Sequence, residues 1–263
     1  MSLSHKNIHL RGVNFQVHDT PFFQEFWNNF HKWEPDTFDI FDRFLNNQYS
    51  YLDIGAWIGP TVLYGVNRAK HVYAIEPDPI AYKELLKNIQ LNPGISSNVT
   101  CISEALDDKS DNIKLFKRIE MGDSSSSIIP TSSDEYHTVT ALTIEDLVLK
   151  YNFTDINFIK MDIEAGEYFL IPALNEYLKR IRPTLFLSIH PPFLQEALAL
   201  QTSIKIKTKF DSYHSSQLSL TERLVENLDF YKFIYDIHGN LVSKDHLLNL
   251  NDFGMYLFSD EKW

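Results

Sequence analysis

Short apolar runs alternate with longer amphipathic stretches along most of the chain. The amphipathic stretches carry apolar residues three and four positions apart, which is typical of helices that cover one face of a core. The apolar runs lie between glycine, proline and polar residues and are typical of buried strands. Predicted strands cover residues 51–54, 72–75, 99–102, 113–116, 136–141, 158–161, 184–189, 230–237 and 252–259. Strands that alternate with helices in this way predict an α/β fold with a doubly wound sheet.

The beginning of the chain departs from this pattern because it is rich in aromatic side chains. Residues 1–20 predict a short strand or hairpin, and residues 22–45 predict one or two amphipathic helices that break near Pro35. We interpret residues 1–47 as an N-terminal helical elaboration that either packs on the core or caps a substrate pocket. No clear linker follows it, so we expect residues 1–263 to form a single domain.

Residues 193–222 begin as a helix and then become basic and polar. Lys207 lies within a run in which lysines alternate with other residues, and His214 follows in a serine-rich stretch. We interpret the segment as a lid or substrate insertion in which Lys207 contacts a phosphate-bearing substrate and His214 contacts substrate or a metal. A solvated edge strand that is protected by its lysines explains the same pattern. Further on, a turn at residues 238–240 precedes the last predicted strand and indicates a C-terminal antiparallel hairpin.

The composition restricts the compartment and the partners. The chain of 263 residues has 44% hydrophobic and 22% charged residues, as is usual for globular proteins. Its net charge of −11 argues against binding to nucleic acid or to an anionic membrane surface. Cys101 is the only cysteine, which excludes an internal disulfide and a cysteine-based zinc site. The N-terminus lacks the apolar core of a signal peptide and no apolar run approaches the length of a membrane span, so we expect a cytoplasmic enzyme.

Residues 49–79 form a strand–loop–helix–strand unit with a candidate binding site. The first strand carries Asp53 near its end, the loop contains Gly55 and Gly59, and Glu76 ends the second strand. The two glycines allow the backbone to pass close to a ligand. An acid at the end of the second strand suits hydrogen bonds to a ribose diol. The unit therefore predicts a site for a nucleoside-containing ligand.

The glycine spacing bears on which ligand this is. The loop reads D-x-G-x-x-x-G, which differs from the G-x-G-x-x-G pattern that cradles the pyrophosphate of a dinucleotide. Through Asp53, Gly55, Gly59 and Glu76, the unit resembles the class I methyltransferases that use S-adenosylmethionine. An oxidoreductase that binds NAD or another nucleotide in the same crevice is the alternative.

A second group of polar residues follows two later strands. Asp162 and Glu164 come after the strand at 158–161, and His190 follows the strand at 184–189. Parallel strands place ligand sites at their carboxyl ends, so these side chains should face the same crevice as Glu76. In extended geometry the two carboxylates point to the same side. They could bind a divalent cation together with His190, or His190 could act as a general base.

These motifs together resemble the FkbM-type methyltransferase family. The matching residues are Asp53–Gly59, Ala74–Pro77, Ile159, Lys160, Asp162, Glu164 and Glu167. The resemblance implies a Rossmann-like seven-stranded sheet and S-adenosyl-L-methionine as the cofactor. It implies cofactor contacts from Asp53, Gly55, Ala56, Gly59, Glu76, Pro77, Glu104, Ala105 and Asp162.

The resemblance also implies a reaction. We expect O-methylation of a hydroxyl on a sugar or nucleotide-sugar, such as a glycan or capsule precursor, with or without Mg²⁺ or Mn²⁺. His190 and Asp162 are the expected catalytic residues, and Asp162, Glu164 and His190 are the expected metal ligands. A small natural product is the alternative acceptor, and a non-catalytic protein with a relic cofactor site is the alternative class. A homo-oligomer is compatible with this interpretation.

The chain departs from the family pattern at two places. The family usually has asparagine where this chain has Trp57, and glycine followed by alanine where it has Ala165 and Gly166. Trp57 could either crowd the cofactor loop or stack against it.

Overall fold

The computed structural model describes residues 4–201 and 216–263 of the chain. The strands are β1 (His5–Leu10), β2 (Val13–His18), β3 (Ser50–Ile54), β4 (Val72–Ile75), β5 (Val99–Ile102), β6 (Ala105–Leu106), β7 (Asp111–Phe116), β8 (Tyr136–Leu142), β9 (Ile156–Met161), β10 (Thr184–Ile189), β11 (Phe233–Asp236) and β12 (Gly254–Ser259). The helices are α1 (Gln24–Asn29), α2 (Pro35–Phe44), α3 (Pro60–Gly65), α4 (Pro79–Gln90), α5 (Ile144–Tyr151), α6 (Glu167–Ile181), α7 (Pro191–Gln201), α8 (Gln217–Glu226) and α9 (Lys244–Leu248). Single 3₁₀ turns cover Phe30–Lys32 and Ser96–Asn98.

A seven-stranded sheet forms the centre, in the order β11-β12-β10-β9-β3-β4-β5. Strands β10, β9, β3, β4 and β5 run parallel, while β12 is antiparallel to both β10 and β11. The predicted doubly wound α/β fold, closed by a C-terminal antiparallel pair, is confirmed. The strand order reverses between β3 and β9, so the crevice above these strands is where ligands of such folds bind.

The N-terminal segment begins as a hairpin, because β1 pairs antiparallel with β2. Helices α1 and α2 follow, and Pro35 is the first residue of α2, where its missing N–H needs no partner. The prediction of helices that break near Pro35 is confirmed. Phe38 packs against Tyr64 of α3 with 4.7 Å between ring centroids, and Phe41 packs against Phe158 of β9 at 5.6 Å. The segment therefore shares a buried aromatic core with the sheet.

A smaller sheet, in the order β6-β8-β7, stands beside the carboxyl ends of the central strands. Helix α5 follows it, and Thr143 caps this helix by accepting a hydrogen bond from the N–H of Asp146 at 3.2 Å. The backbone N–H of Thr143 donates to Ser110 at 3.1 Å, and the Ser110 hydroxyl donates to the Asp146 carboxylate. Ser110 therefore bridges the backbone N–H of Thr143 and the carboxylate of Asp146.

The predicted insertion at 193–222 contains α7 and the start of α8. Lys207 and His214, the two predicted substrate contacts, lie outside the described residues. The C-terminal pair is less simple than a hairpin, because α9 stands between β11 and β12. Within residues 4–201 and 216–263, no helix has the length and apolar character needed to cross a membrane.

Candidate functional site

Four polar side chains lie at the carboxyl ends of neighbouring strands. Asp53 is on β3, Glu76 follows β4, Asp162 follows β9 and His190 follows β10. These strands are adjacent in the sheet, in the order β10-β9-β3-β4. Two adjoining clefts open at this edge.

The cleft on the β4 side, called the first cleft, has a volume of about 600 Å³. Apolar side chains make most of its wall. Its lining includes Gly55, Trp57, Glu76, Pro77, Ala105, Leu106, Ser124, Ile128, Asp162 and Glu164.

The cleft on the β10 side, called the second cleft, has a volume of about 900 Å³. It is more polar, and part of its wall comes from the N-terminal segment. Its lining includes Phe26, Trp33, Glu34, Ala56, Thr61, Lys160, Ser188, His190, Phe253 and Met255. The two clefts share Gly55, Trp57, Ser124, Asp162 and Glu164, so a molecule in one meets a molecule in the other at these residues.

The packing of the protein itself requires glycine at both loop positions. Gly55 has a φ of +88°, and a Cβ there would lie 1.9 Å from the carbonyl oxygen of Asp162. Gly59 has a φ of +92°, and a Cβ there would lie 2.6 Å from a methyl carbon of Leu85. We expected both glycines to make room for a ligand. Gly55 does line both clefts, but the space beside each Cα is occupied by protein.

Glu76 is held by the backbone of the loops on either side. Its Oε2 accepts a hydrogen bond from the N–H of Trp57 at 2.8 Å, and its Oε1 accepts one from the N–H of Asp78 at 2.7 Å. The side chain is buried, and burial raises its pKa to about 8, with help from Asp78 and against the two hydrogen bonds. Each carboxylate oxygen can accept a second hydrogen bond, so the group can still bind a ligand hydroxyl in the first cleft.

Trp57 connects three parts of the structure. Its backbone has a φ of 49°, a left-handed conformation that asparagine adopts more readily than tryptophan. Its indole N–H donates to the carbonyl oxygen of Gly122 at 2.9 Å. Its ring packs edge-on against Phe26 at 4.6 Å and Phe23 at 5.8 Å. Trp57 therefore fastens the glycine loop to α1 and to the loop that contains Gly122.

Asp53 lies beneath the clefts, since it lines neither of them and is fully buried. Its Oδ2 accepts a hydrogen bond from the Thr61 hydroxyl at 2.6 Å, which holds the start of α3 against β3. Burial raises the pKa of Asp53, while nearby Lys160 opposes that rise. The described geometry thus gives Asp53 a role in positioning the loop, and Gly59 likewise lines neither cleft.

Asp162 and Glu164 line both clefts because of a backbone turn that the sequence did not predict. Strand β9 ends at Met161, and Glu164 and Ala165 adopt left-handed φ values of 55° and 75°. The turn is therefore tight, and the expected extended geometry after the strand is wrong. Because a left-handed conformation is unfavourable for residues with a Cβ, this turn is strained.

The Asp162 carboxylate lies between two cationic groups. The Lys160 ammonium donates to its Oδ2 at 3.0 Å, and the His190 Nε2 is 3.3 Å from its Oδ1. Although burial opposes the change, these two neighbours hold the pKa of Asp162 well below its usual range. Glu164 is 3.7 Å from the same imidazole nitrogen, yet burial and the repulsion from Asp162 raise its pKa to about 8.

Glu167 fixes the orientation of His190. Its Oε1 accepts a hydrogen bond from the backbone N–H of His190 at 2.8 Å and lies 3.2 Å from the imidazole Nδ1. The imidazole also stacks on Phe193, with 5.8 Å between ring centroids and planes 7° apart. Burial alone would lower the pKa of His190, but Glu167 and Asp162 raise it well above the usual value. The two carboxylates therefore favour the protonated form of the imidazole.

Asp162, Glu164 and His190 also form a candidate cation site. One oxygen from each carboxylate and one imidazole nitrogen lie within 4.8 Å of one another. Two carboxylates and an imidazole suit Mn²⁺, and the carboxylates suit Mg²⁺. Glu167 would hold the second ring nitrogen of His190, as an outer carboxylate does in many metal sites.

The serine-rich loop after β7 closes the first cleft. Asp78 accepts hydrogen bonds from the Gly122 N–H at 3.0 Å and the Ser126 hydroxyl at 2.9 Å. The Ser127 hydroxyl donates to the carbonyl oxygen of Glu164 at 2.7 Å, and Ser127 is 1% exposed. These contacts hold the loop against Asp78 before α4 and against Glu164 in the turn after β9.

The remaining predicted cofactor residues divide into two groups. Pro77 and Ala105 line the first cleft, and Ala56 lines the second. Glu104, expected at the adenine amine, is paired instead with the Lys150 ammonium and accepts from the Tyr151 hydroxyl at 3.0 Å. These partners lower the pKa of Glu104 although burial opposes them, and the residue does not line either cleft.

Sequence reasoning missed three residues of the site. Lys160 and Glu167 lay within the family motif without a role, although both are buried and contact the His190–Asp162 pair. No sequence pattern indicated Glu34, because the residues around it do not show that the N-terminal segment reaches the second cleft.

The family comparison agrees with this geometry. The Methyltransferase FkbM domain matches residues 53–229, about two thirds of the chain. The chain belongs to this family. The match includes Glu76 and the group of Asp162, Glu164 and His190, but not the first 52 residues. No curated protein matches the sequence significantly.

Solved structures show more distant likenesses. Methyltransferase FkbM from Methylobacillus flagellatus is 17% identical, with a TM-score of 0.47 over 81% of this chain and 44% of its own. A precorrin 8w decarboxylase from Methanobacterium thermoautotrophicum is 16% identical, with a TM-score of 0.42 over 86% of this chain and 90% of its own. An rRNA methylase from Streptococcus thermophilus is 12% identical, with a TM-score of 0.42 over 85% and 93%. The chain spans less than half of the M. flagellatus structure, and likenesses of this size assign neither substrate nor partner.

Proposed function

We propose that the protein transfers a methyl group from S-adenosyl-L-methionine to a hydroxyl of a sugar or nucleotide-sugar, such as a glycan precursor. The observation that carries the proposal is the pair of adjoining clefts that share Asp162 and Glu164. Methyl transfer needs a donor and an acceptor in line, and most of the rate gain comes from holding them so. A donor in the first cleft and an acceptor in the second would meet at the shared residues.

The first cleft suits the adenosyl half of the cofactor. Glu76 offers carboxylate oxygens for the ribose hydroxyls. Ala105, Leu106 and Ile128 give an apolar wall for the adenine ring. The sulfonium would then lie toward Asp162, whose negative charge is complementary to it.

A divalent cation, Mg²⁺ or Mn²⁺, fits the donor set of Asp162, Glu164 and His190. When bound, such a cation would make the acceptor hydroxyl more acidic and orient it. The raised pKa of His190 disfavours a general-base role, since a base must be unprotonated at working pH. From the donor geometry we assign His190 to the cation ligands, and a bound cation would displace the proton of its imidazole, because a metal ligand must be unprotonated. Glu164, with a pKa of about 8, is mostly protonated at neutral pH and would accept the proton that the hydroxyl loses only in its ionised form.

Calorimetry and methyl-transfer assays test the proposal. S-adenosylhomocysteine should bind to the purified protein and NAD should not. Labelled methyl from S-adenosylmethionine should then appear on members of a nucleotide-sugar panel, and Asp162→Asn and His190→Ala should each abolish transfer. Binding of NAD alone would support an oxidoreductase, and cofactor binding without transfer to any sugar would reject the proposed acceptor.

A further inference from the structure

Glu34 brings a carboxylate from outside the family domain into the second cleft. It precedes α2, lies next to Trp33, and lines the cleft together with Lys160 and Asp162. Its backbone is left-handed, with φ 40° and ψ 56°. A residue with a Cβ adopts this conformation at a cost, and the following Pro35 restricts it further. Strain of this kind concentrates at functional sites.

One carboxylate oxygen of Glu34 has a partner within the protein. The Thr37 hydroxyl donates to Oε2 at 3.1 Å, and the backbone N–H of Thr37 donates to the Glu34 carbonyl oxygen at 3.0 Å. These contacts fix the side chain in position. In the described part of the chain, Oε1 accepts no hydrogen bond, so it remains available to a molecule in the cleft. Burial and the repulsion from Asp162 raise the pKa of Glu34 to about 6, so it is still mostly ionised at neutral pH.

Aromatic side chains line the same cleft as this carboxylate. Trp33 lines the cleft and stacks on the fully buried Phe30, with 5.9 Å between centroids and planes 22° apart. Phe26 lies between Trp33 and Trp57, at 5.5 Å and 4.6 Å. The negative face of an aromatic ring attracts polarised C–H groups, which the faces of a pyranose ring present. Carboxylate oxygens beside such a ring suit two neighbouring hydroxyls.

The charges at this end of the cleft favour an uncharged group. Glu34, Asp162 and Glu164 line the cleft, and the cationic side chains among the described lining residues are Lys160 and His190. Both cations already contact Asp162, at 3.0 Å and 3.3 Å. A phosphate here would face the Glu34 carboxylate without a free cation beside it. The sugar ring of an acceptor, and not its phosphate, fits this end.

We propose that Glu34 and Trp33 form the acceptor-binding wall of the second cleft, where Trp33 supports a pyranose ring and Glu34 accepts hydrogen bonds from a vicinal diol. This inference rests on the proposed function and assigns a role to the segment that precedes the family domain. It also explains why the half-buried acid before α2 does not cap that helix with its side chain.

Saturation-transfer NMR on the full chain tests the wall directly. The probes are methyl α-D-glucopyranoside, methyl α-D-mannopyranoside and methyl α-D-galactopyranoside, with and without S-adenosylhomocysteine. At least one should bind to the wild-type protein, and Glu34→Gln should weaken it about tenfold, as expected for the loss of a charge-assisted hydrogen bond. Trp33→Ala should weaken it similarly. Glu25→Gln, at an exposed acid in α1, should leave the affinity unchanged.

The affinity for S-adenosylhomocysteine separates the possible outcomes. All three variants should retain it, which shows that each is folded. If no pyranoside binds to the wild-type protein, or if Glu34→Gln binds as well as wild type, the inference is overturned while the cofactor half of the proposed function stands. If S-adenosylhomocysteine fails to bind to the wild type, the proposed function falls, and the dependence of pyranoside binding on Glu34 still decides the inference.

Discussion

A Cβ atom at Gly55 would lie 1.9 Å from the carbonyl oxygen of Asp162. The turn after β3 is thus in close contact with the backbone segment that follows β9. This contact joins the loop of the first cleft to the residue shared by both clefts. Any movement of one must be followed by the other.

Gly55→Ala should therefore destabilise the protein by about 3 kcal/mol, from a left-handed φ and overpacking together. The measurement is the free energy of unfolding in urea. Gly12→Ala is the matched control, because Gly12 also has a positive φ of +79° but nothing within 4 Å of its missing Cβ. It should lose only about 1 kcal/mol. Equal losses in the two variants would show that the close contact does not matter.

Ala165→Gly should stabilise the protein by about 1 kcal/mol, because glycine adopts the φ of 75° without strain. The same urea measurement applies. Ala197→Gly, inside α7, is the control with the opposite sign and should cost about 1 kcal/mol. A loss as large as that of Ala197→Gly, which also removes a buried methyl group, would mean that the turn is not strained.

Glu76 should make cofactor binding depend on pH. Its pKa of about 8 means that it is largely protonated below that pH, while two ribose hydroxyls need the ionised form as acceptor. The affinity for S-adenosylhomocysteine should rise between pH 6 and 9, and Glu76→Gln should reduce this rise. Glu164→Gln is the control, because it removes another carboxyl with a pKa of about 8. It should leave most of the rise in affinity with pH unchanged.

The same shift has a consequence for stability. The pKa of Glu76 in the folded protein lies above the usual glutamate value of 4.5, so folding favours the protonated form. Its contribution is complete below the unfolded pKa and is lost as the pH rises through about 8. Glu76→Gln should therefore unfold with a smaller decline in stability over this range, as measured by urea titrations at several pH values. An unchanged decline would contradict the raised pKa.

Mn²⁺ should bind at the cluster of Asp162, Glu164 and His190, as measured from the loss of the free-ion EPR signal. Asp162→Asn should abolish binding, and Glu167→Gln should weaken it about tenfold or more, because Glu167 orients His190. Glu145→Gln, at an exposed acid of α5, is the control and should bind as wild type does. Wild-type protein that fails to take up Mn²⁺ would remove the cation from the proposed mechanism.

The sequence predicted the main sheet and the edge at which the clefts lie. Apolar runs that end in acids carry this information locally, which is why Glu76, Asp162 and His190 could be placed at neighbouring strand ends. The raised pKa of His190 could not be predicted, because it depends on Glu167 at the start of α6, 23 residues earlier in the chain. The contribution of Glu34 depends on the packing of α1 and α2 against distant strands, which no local pattern reports.

Trp57 illustrates the same limit. As a departure from the family pattern, it suggested a side chain that either crowds the cofactor loop or stacks against it. In the structure its ring finds partners in Phe23 and Phe26, and its N–H groups find acceptors in Glu76 and Gly122. These partners are up to 65 residues away in the chain.

The matched family region, residues 53–229, is shorter than the unit that these contacts define. It lacks β11 and β12, so β10 would lose its antiparallel neighbour, and it lacks the aromatic helices that cover Tyr64 and Phe158. A protein shortened to the region would expose an open sheet edge and a broad apolar face, both of which promote aggregation.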